Sequence, residues 1–572
     1  MSISSRSRVS IILTLLALAS ILGFYVAQEA MQGKTANAAS LKTSSSYRFH
    51  KGHLEQGTLV DPRHLAAAKK TANSSNIRVL PALSIPGKGR NAAIKSTPAR
   101  ANANLKAAAA GHALLHNFEG SNVFDNFFAN GGDLEPPDQG LCVGNGFVME
   151  PVNLTVGFFN TNGVRLNEPV PMSAFFGETA TGPTVQGDPR CYYDKSTNAW
   201  FATMLFVDLT NNVSHFDVAV NPSGDPTTTW KVYRLPTTDG PGAFSPDPGC
   251  PCFGDQPLLG IDQYNLYVTT NEFSISAITG GPVFFNGAQV YPISKSQLVA
   301  EASSVLFGQY NNLSIGGAIA ASLQPAITNG NPAAEYFVSS LDPNGTFDHR
   351  LAVWALTTPQ ILSTGGISNF NGVLVNSETY GLPPNAVDPG GHVITTDDDR
   401  MQQVQYINGH LWGALDTSIT IPGDSAQRSG VAWFEIHPSL TKDQLAIAHA
   451  SMTAQGYVVS HGNYLLYPAI TVSPDGTAAM VMSLSGPGVY PSAVFAIRPA
   501  GSSNFGGIRF LAAGVANDNG FTCTPGPCRW GDYSAAVLDP NNSHGIWMAT
   551  EYIGGPGDTN ANWDTRIAEV QA

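Results

Sequence analysis

One phrase returns seven times along this chain: a short polar start, an apolar stretch, a polar turn, then a bulky strand. Its starts fall at Asp138, Asp188, Asp255, Leu323, Asp399, Leu466 and Asp532, about 67 residues apart after a shorter first interval. Each phrase supplies two adjacent antiparallel strands joined by an Asp/Asn/Gly turn, and the residues between phrases are enough for two more. Near-constant spacing with variable loops is what radially repeated sheets produce. The expected fold is all-β, a seven-bladed β-propeller over residues 112–572. A pair of β-sandwiches is the competing architecture, and it gives no reason for a regular period.

Composition supports the class. Charged residues are only 12 %, while 58 Gly and 39 Pro supply turns, which argues against coiled coils and helical bundles. A 43 % hydrophobic content argues against wholesale disorder. Charge divides along the chain: residues 1–111 carry a net +12 and residues 112–572 a net −25. An acidic body repels phosphate backbones, so nucleic acid is not an expected partner. The front segment opens with Arg6 and Arg8, an uncharged stretch from Val9 to Ala27, and Ala36-Asn-Ala38 as a cleavage site. Residues 1–38 are expected to be a signal peptide and the protein secreted, with an uncleaved anchor as the alternative. Residues 39–111, rich in Ala, Ser, Asn and Lys, read as an unstructured basic linker or pro-segment, and membrane contact is expected only through the N-terminal segment.

Six cysteines suit an exported chain. Cys523 and Cys528 bracket a short loop, and Cys142 and Cys191 sit at matching places in neighbouring repeats, so these pairs are the expected disulfides. Cys250 and Cys252 then bond to each other or stay reduced.

The tail carries a resemblance. Arg529-Trp-Gly-Asp-Tyr-Ser-Ala-Ala-Val-Leu-Asp-Pro540, Trp547-Met-Ala-Thr-Glu-Tyr552 and Asn562-Trp-Asp-Thr-Arg-Ile567 resemble secreted bacterial seven-bladed β-propeller proteins near the sialidase-like group, most of them without assigned activity. The resemblance implies the propeller fold. It does not imply sialidase activity, because the nearest relative of an Asp-box, Ser473-Pro-Asp-Gly-Thr477, lacks the residue between Asp and Gly.

In a propeller the repeated starts ring one mouth of a central channel. Glycoside hydrolysis needs two carboxyl groups across the scissile bond, one kept protonated. The candidates are Asp188, Asp255 and Asp532, with Glu272 and Glu551 on second strands. Arg190, Arg400 and Arg529 lie within three residues of repeat starts and could hold a ligand carboxylate or pair with neighbouring Asp. Tyr193, Tyr467, Trp530 and Tyr533 could stack on sugar faces or pack between blades. A lyase would use Tyr or His as base, with His392, His410 and His461 available. Asp558, Asn560, Asn562 and Asp564 alternate as in Ca²⁺ loops but lack the glycine and distal Glu, and Asp397–Asp399 is a second acidic run. No other cofactor is expected. HExxH, G-x-S-x-G and Walker motifs are absent, which removes the cheapest signs of zincins, serine hydrolases and kinases. The function expected is therefore action on extracellular glycan by a monomer, as glycoside hydrolase, as lyase, or as a non-catalytic binder.

Overall fold

The computed structural model describes residues 46–65, 77–78, 83–85, 112–179, 182–240, 247–341, 343, 345, 347–524, 526–555, 557 and 561–572. The expected signal peptide lies outside them. Among the described residues no helix is long and apolar enough to cross a membrane.

Strands dominate, and they group in chain order into four-stranded antiparallel meanders. The first sheet is Cys142–Gly144, Phe147–Val152, Thr155–Asn160 and Val170–Pro171. The second is Thr184–Asp194, Ala199–Asp208, Val213–Asn221 and Trp230–Pro236. The third is Cys252–Ile261, Asn265–Ser274, Phe285–Ser294 and Leu306–Ile315. Gln324–Thr328, Ala334–Ser339, Asp348–Thr357 and Asn369–Tyr380 form the fourth. Val404–Ile407, His410–Thr420, Gln427–Leu440 and Ile447–Val458 form the fifth. Tyr464–Val472, Ala478–Gly486, Val489–Arg498 and Arg509–Ala512 form the sixth. The seventh has three consecutive strands, Ala535–Leu538, Gly545–Tyr552 and Asp564–Gln571. Its fourth comes from the front of the chain: Leu114–Asn122 pairs antiparallel with Asp564–Gln571.

Side-chain alternation explains how the sheets associate. Along Ala199–Asp208, Trp200, Ala202, Met204 and Phe206 pack toward the first sheet, while Phe201, Leu205 and Val207 pack toward the third. With both faces covered, a middle strand has no solvent side, so it reads as continuous apolar sequence rather than alternation. Apolar clusters join first to second, second to third, third to fourth, fourth to fifth, fifth to sixth and sixth to seventh sheets. A further cluster, with Val148 and Phe159 against Trp547 and Ile567, joins the seventh sheet to the first. The sheets therefore close into a ring. Their first strands lie innermost, and those of the third, fourth and fifth sheets touch in parallel at Ile261–Ile327 and Ala326–Val404.

Residues 46–60 correct the composition-based reading of an unstructured lead. Ser46–His53 adds to the outer edge of the third sheet, and Glu55–Val60 to that of the second. Tyr47 and Phe49, alternate residues on one strand, rest 5.4 and 4.8 Å from the Tyr310 ring. The segment has too few apolar residues to build a core of its own, but an open sheet edge needs only backbone partners and two rings. Ile77–Arg78 adds in parallel beside Thr184 and Val185.

All six cysteines pair: Cys142–Cys191, Cys250–Cys252 and Cys523–Cys528. Cys142–Cys191 ties the innermost strands of the first two sheets.

A chain beginning at Val123 lacks the closing strand and is expected to be insoluble or to melt more than about 10 °C lower. A chain beginning at His112 keeps the ring but bares two outer edges, and should associate with rising concentration. Thermal unfolding and light scattering check both.

Candidate functional site

The innermost strands are not regular where they begin. In the second sheet Asp188-Pro189 faces the single residue Met204, because the pairing steps from Leu205–Gly187 to Thr203–Arg190. The third sheet repeats this with Gln256-Pro257, and the sixth with Tyr467-Pro468. Each is a β-bulge carrying a proline, the place a strand tolerates a missing N–H. The residue before the proline has positive φ: 52° at Asp188, 50° at Gln256 and 52° at Tyr467. Asp138 (45°) and Asp397 (50°) share that conformation. Left-handed backbone at a non-glycine residue costs on the order of 1–3 kcal/mol, so neighbours must hold it in place.

They do so by hydrogen bonds between sheets. Asn153 of the first sheet accepts the N–H of Asp188 at 2.8 Å and donates to Asp138 Oδ2 at 2.7 Å and the Pro136 carbonyl at 2.8 Å. Asn271 of the third sheet accepts the N–H of Ser322 at 2.7 Å, and Asp416 of the fifth accepts that of Tyr467 at 2.8 Å. In the seventh, Asp138 Oδ1 accepts the N–H of Asp532 at 2.7 Å, and Glu551 accepts that of Gly531 at 2.7 Å.

These bulges surround a cavity of about 220 Å³ at one end of the ring axis. Glu135, Asp138, Asp188, Asp255, Asp397 and Asp532 line it, together with Arg400, Arg529 and Tyr467. Leu83 and Ser84 of the front segment also reach its wall. Further along the innermost strands lie a smaller cavity lined by Arg190, Leu258 and Tyr533 and a wider one of about 580 Å³.

Not every carboxylate is available. Asp138 spends both oxygens on Asn153 and the Asp532 amide. Asp397 faces Arg400 at 2.9 Å, and Asp532 faces Arg529 at 3.5 Å. Asp188 has only the Tyr533 hydroxyl, at 3.5 Å. Asp255 is engaged by the backbone of Gln256. Burial, and in each case at least one neighbouring Asp, push the carboxyls of Asp138, Asp188, Asp255 and Asp397 upward. For Asp255 the like charge that acts most strongly is that of Asp188, so ionising one disfavours ionising the other.

Arg400 is almost fully committed. It grips Asp398 with Nε at 2.7 Å and Nη2 at 2.8 Å, and its Nη1 reaches Gln256 Oε1 at 2.5 Å. Arg190 lies outside this cavity, its guanidinium 3.2 Å from the Tyr533 ring centre. Tyr193 lines the wider cavity, its hydroxyl bonded to Asn145 and Asn198. Trp530 is buried, with its indole N–H on Ser483 Oγ at 3.0 Å, so it offers no exposed face. Glu551 sits behind the wall, holding Gly531.

Glu272 is elsewhere, buried beside Asp239, Asp247 and the Cys250–Cys252 disulfide, and pushed up to about 8. Asn562 bonds the Asn517 carbonyl and the Asn519 amide, and Asp564 accepts from Gly554. Asp558 and Asn560 lie outside the described residues. Asp399 is buried away from the cavity, where Asp397 stands instead. Glu135, Asn153 and Gln256 escaped notice in the sequence. The X-Pro pairs at 188–189, 256–257 and 467–468 were the available sign of the bulges.

No protein-family model and no curated protein sequence matches the chain. Among solved structures, the α-L-arabinofuranosidase Arb93A from Fusarium graminearum aligns at 10 % identity over 79 % of this chain and 97 % of its own, with a TM-score of 0.32. Trypanosoma rangeli sialidase aligns at 11 % identity over 75 % and 59 %, with a TM-score of 0.33. Drosophila Plexin A, in complex with Semaphorin 1b, aligns at 9 % over 80 % and 87 %, with a TM-score of 0.30. Likeness at this level carries no argument about activity.

Two measurements follow from the site. Asn153→Ala removes the clasp between Asp138 and Asp188, and is expected to cost about 2–4 kcal/mol in urea unfolding. Glu135 and the fully buried Glu150 are raised from 4.5 to about 7, mainly by burial. Raised carboxyls bind more protons folded than unfolded, so their contribution is complete below about pH 4.5 and is lost as pH rises through 7. The urea midpoint should therefore be higher at pH 5 than at pH 8, and a rise toward pH 8 would contradict this account.

Proposed function

We propose that the chain is an exported, monomeric seven-bladed β-propeller that hydrolyses a glycosidic bond at this cavity, with residues 1–38 as its signal peptide. The observation that supports the reading is the contrast among the carboxylates. Asp138 is consumed by structural bonds, while Asp188 and Asp255 face the same cavity with few partners, and burial and the charge of Asp188 raise the proton affinity of Asp255. That is the division of labour hydrolysis needs: one carboxyl held protonated to donate to the leaving oxygen, and its neighbour ionised to act as nucleophile or to activate water. Asp255, raised by burial and by Asp188, is assigned as the acid, and Asp188 as the carboxylate. The cavity is smaller than the range of roughly 300–1,000 Å³ that holds drug-sized ligands, so it suits a single sugar ring at a chain end.

Asp188→Asn and Asp255→Asn are each expected to lower turnover at least about 10³-fold with an unchanged melting temperature. Asp138→Asn should instead lower the melting temperature. Reducing-end release and unsaturated-product absorbance on a polysaccharide panel provide the assay. Unsaturated product would redirect the proposal to a lyase, and binding without turnover would redirect it to a carbohydrate receptor.

A further inference from the structure

The charge balance of the cavity and one locked amide together restrict what its ligand can be; this step rests on the glycan reading above. Six carboxyl groups line the wall against two guanidinium groups, those of Arg400 and Arg529. Neither arginine is placed to receive an acidic sugar. Arg400 is held on two sides by Asp398 and reaches Asp397 and Gln256 with its remaining faces, and Arg529 faces Asp532. A uronate or sialate carboxylate would have to displace these and would enter among Asp188, Asp255 and Asp397. Burial and like charge press most of these carboxyls toward their neutral forms, and a cation entering the cavity would supply the counter-charge that their ionised forms lack.

Gln256 decides which kind. Its Oε1 accepts from Arg400 Nη1, from Asn271 Nδ2 at 3.1 Å and from Ser322 Oγ at 3.0 Å. Three donors fix the orientation of the amide, since a flip would set its NH₂ against them. Its Nε2 therefore stays on the remaining side and has no partner among the described residues, on a side chain that lines the cavity and is 3 % exposed. Such a donor needs an oxygen acceptor, and leaving it bare costs about 1–3 kcal/mol. Gln186, also on the wall, has an unpartnered Oε1 that asks for a donor. A bare metal ion offers no acceptor to Gln256. A neutral sugar satisfies both amides but leaves the carboxylate surplus uncompensated. An ammonium group and hydroxyls on one ring meet all three requirements.

We infer that the cavity recognises an amino sugar with a free amine, the ammonium seated beside Asp188 and Asp397 and a ring hydroxyl accepting from Gln256 Nε2. The raised carboxyls agree with a pocket whose negative charges lack counter-charge until the ligand enters.

Calorimetric titration of the full chain tests this with glucosamine and galactosamine oligomers, the same oligomers N-acetylated, neutral gluco-oligomers, oligouronates, and CaCl₂ alone. The expected result is at least ten-fold tighter binding of a free-amine oligomer than of its N-acetylated form, with an advantage that shrinks as salt is added. Asp397→Asn, with folding checked by its melting curve, should lower the ratio of free-amine to N-acetylated affinity at least five-fold; an unchanged ratio overturns the amino-sugar inference. Equal or tighter binding of N-acetylated, neutral or acidic oligomers overturns the amino-sugar inference and leaves a glycan site. Binding of CaCl₂ with no oligosaccharide bound, or no binding at all, overturns both.

Discussion

Everything in this molecule depends on sheets that are apolar on both faces. A strand such as Ala199–Asp208, buried along almost its whole length, has no stable place in a two-layer protein with a solvent side. Each sheet needs a neighbour on either hand, and a finite row of such sheets leaves two bare ends. Closing the row removes both. The cluster of Val148, Phe159, Trp547 and Ile567 is where that closure is made, and the strand Leu114–Asn122 completes it with backbone bonds.

The cavity is a by-product of the same geometry, put to use. Strands converging on an axis crowd where they start, and the crowding is relieved by bulges that turn Asp188, Gln256 and Tyr467 inward. The left-handed backbone of Asp188 and Tyr467 is held by side chains of the preceding sheet, which ties the cavity's wall to the ring. Carboxylates that would repel one another in a looser setting are kept together by Asn153 and by the Asp398–Arg400–Gln256 chain. The carboxyls that burial and neighbouring charge push upward are also ones that weaken the fold at alkaline pH.

Much of this was legible in the sequence. The repeat phrase marks the first two strands of each sheet, and its acidic starts at Asp138, Asp188, Asp255 and Asp532 do share one cavity. What the phrase could not show was geometry across sheets. Glu272 occupies the second strand as Glu551 does, yet it faces a separate niche, because its side chain lies toward the outer part of its own sheet. Trp530 and Tyr193 look like sugar platforms in one dimension, but burial and the direction of the strand take both away from the cavity. Asp397 and Asp399 differ by two residues, and only backbone direction decides which one lines the wall. The strands at 46–60 were hidden for another reason: they borrow their core from Tyr310 and have none of their own.

The joining of the front of the chain to its end has a consequence for biogenesis. Arg566 and Asn117, bonded in the finished protein, are 449 residues apart, and drawing together the ends of so long a loop costs about 5 kcal/mol in chain entropy. Synthesis delivers Leu114–Asn122 long before its partner Asp564–Gln571. Until then the newborn chain holds an orphan strand and an uncovered first sheet, so closure of the ring waits for the arrival of Asp564–Gln571. Removing that strand would leave the polypeptide in the same waiting state.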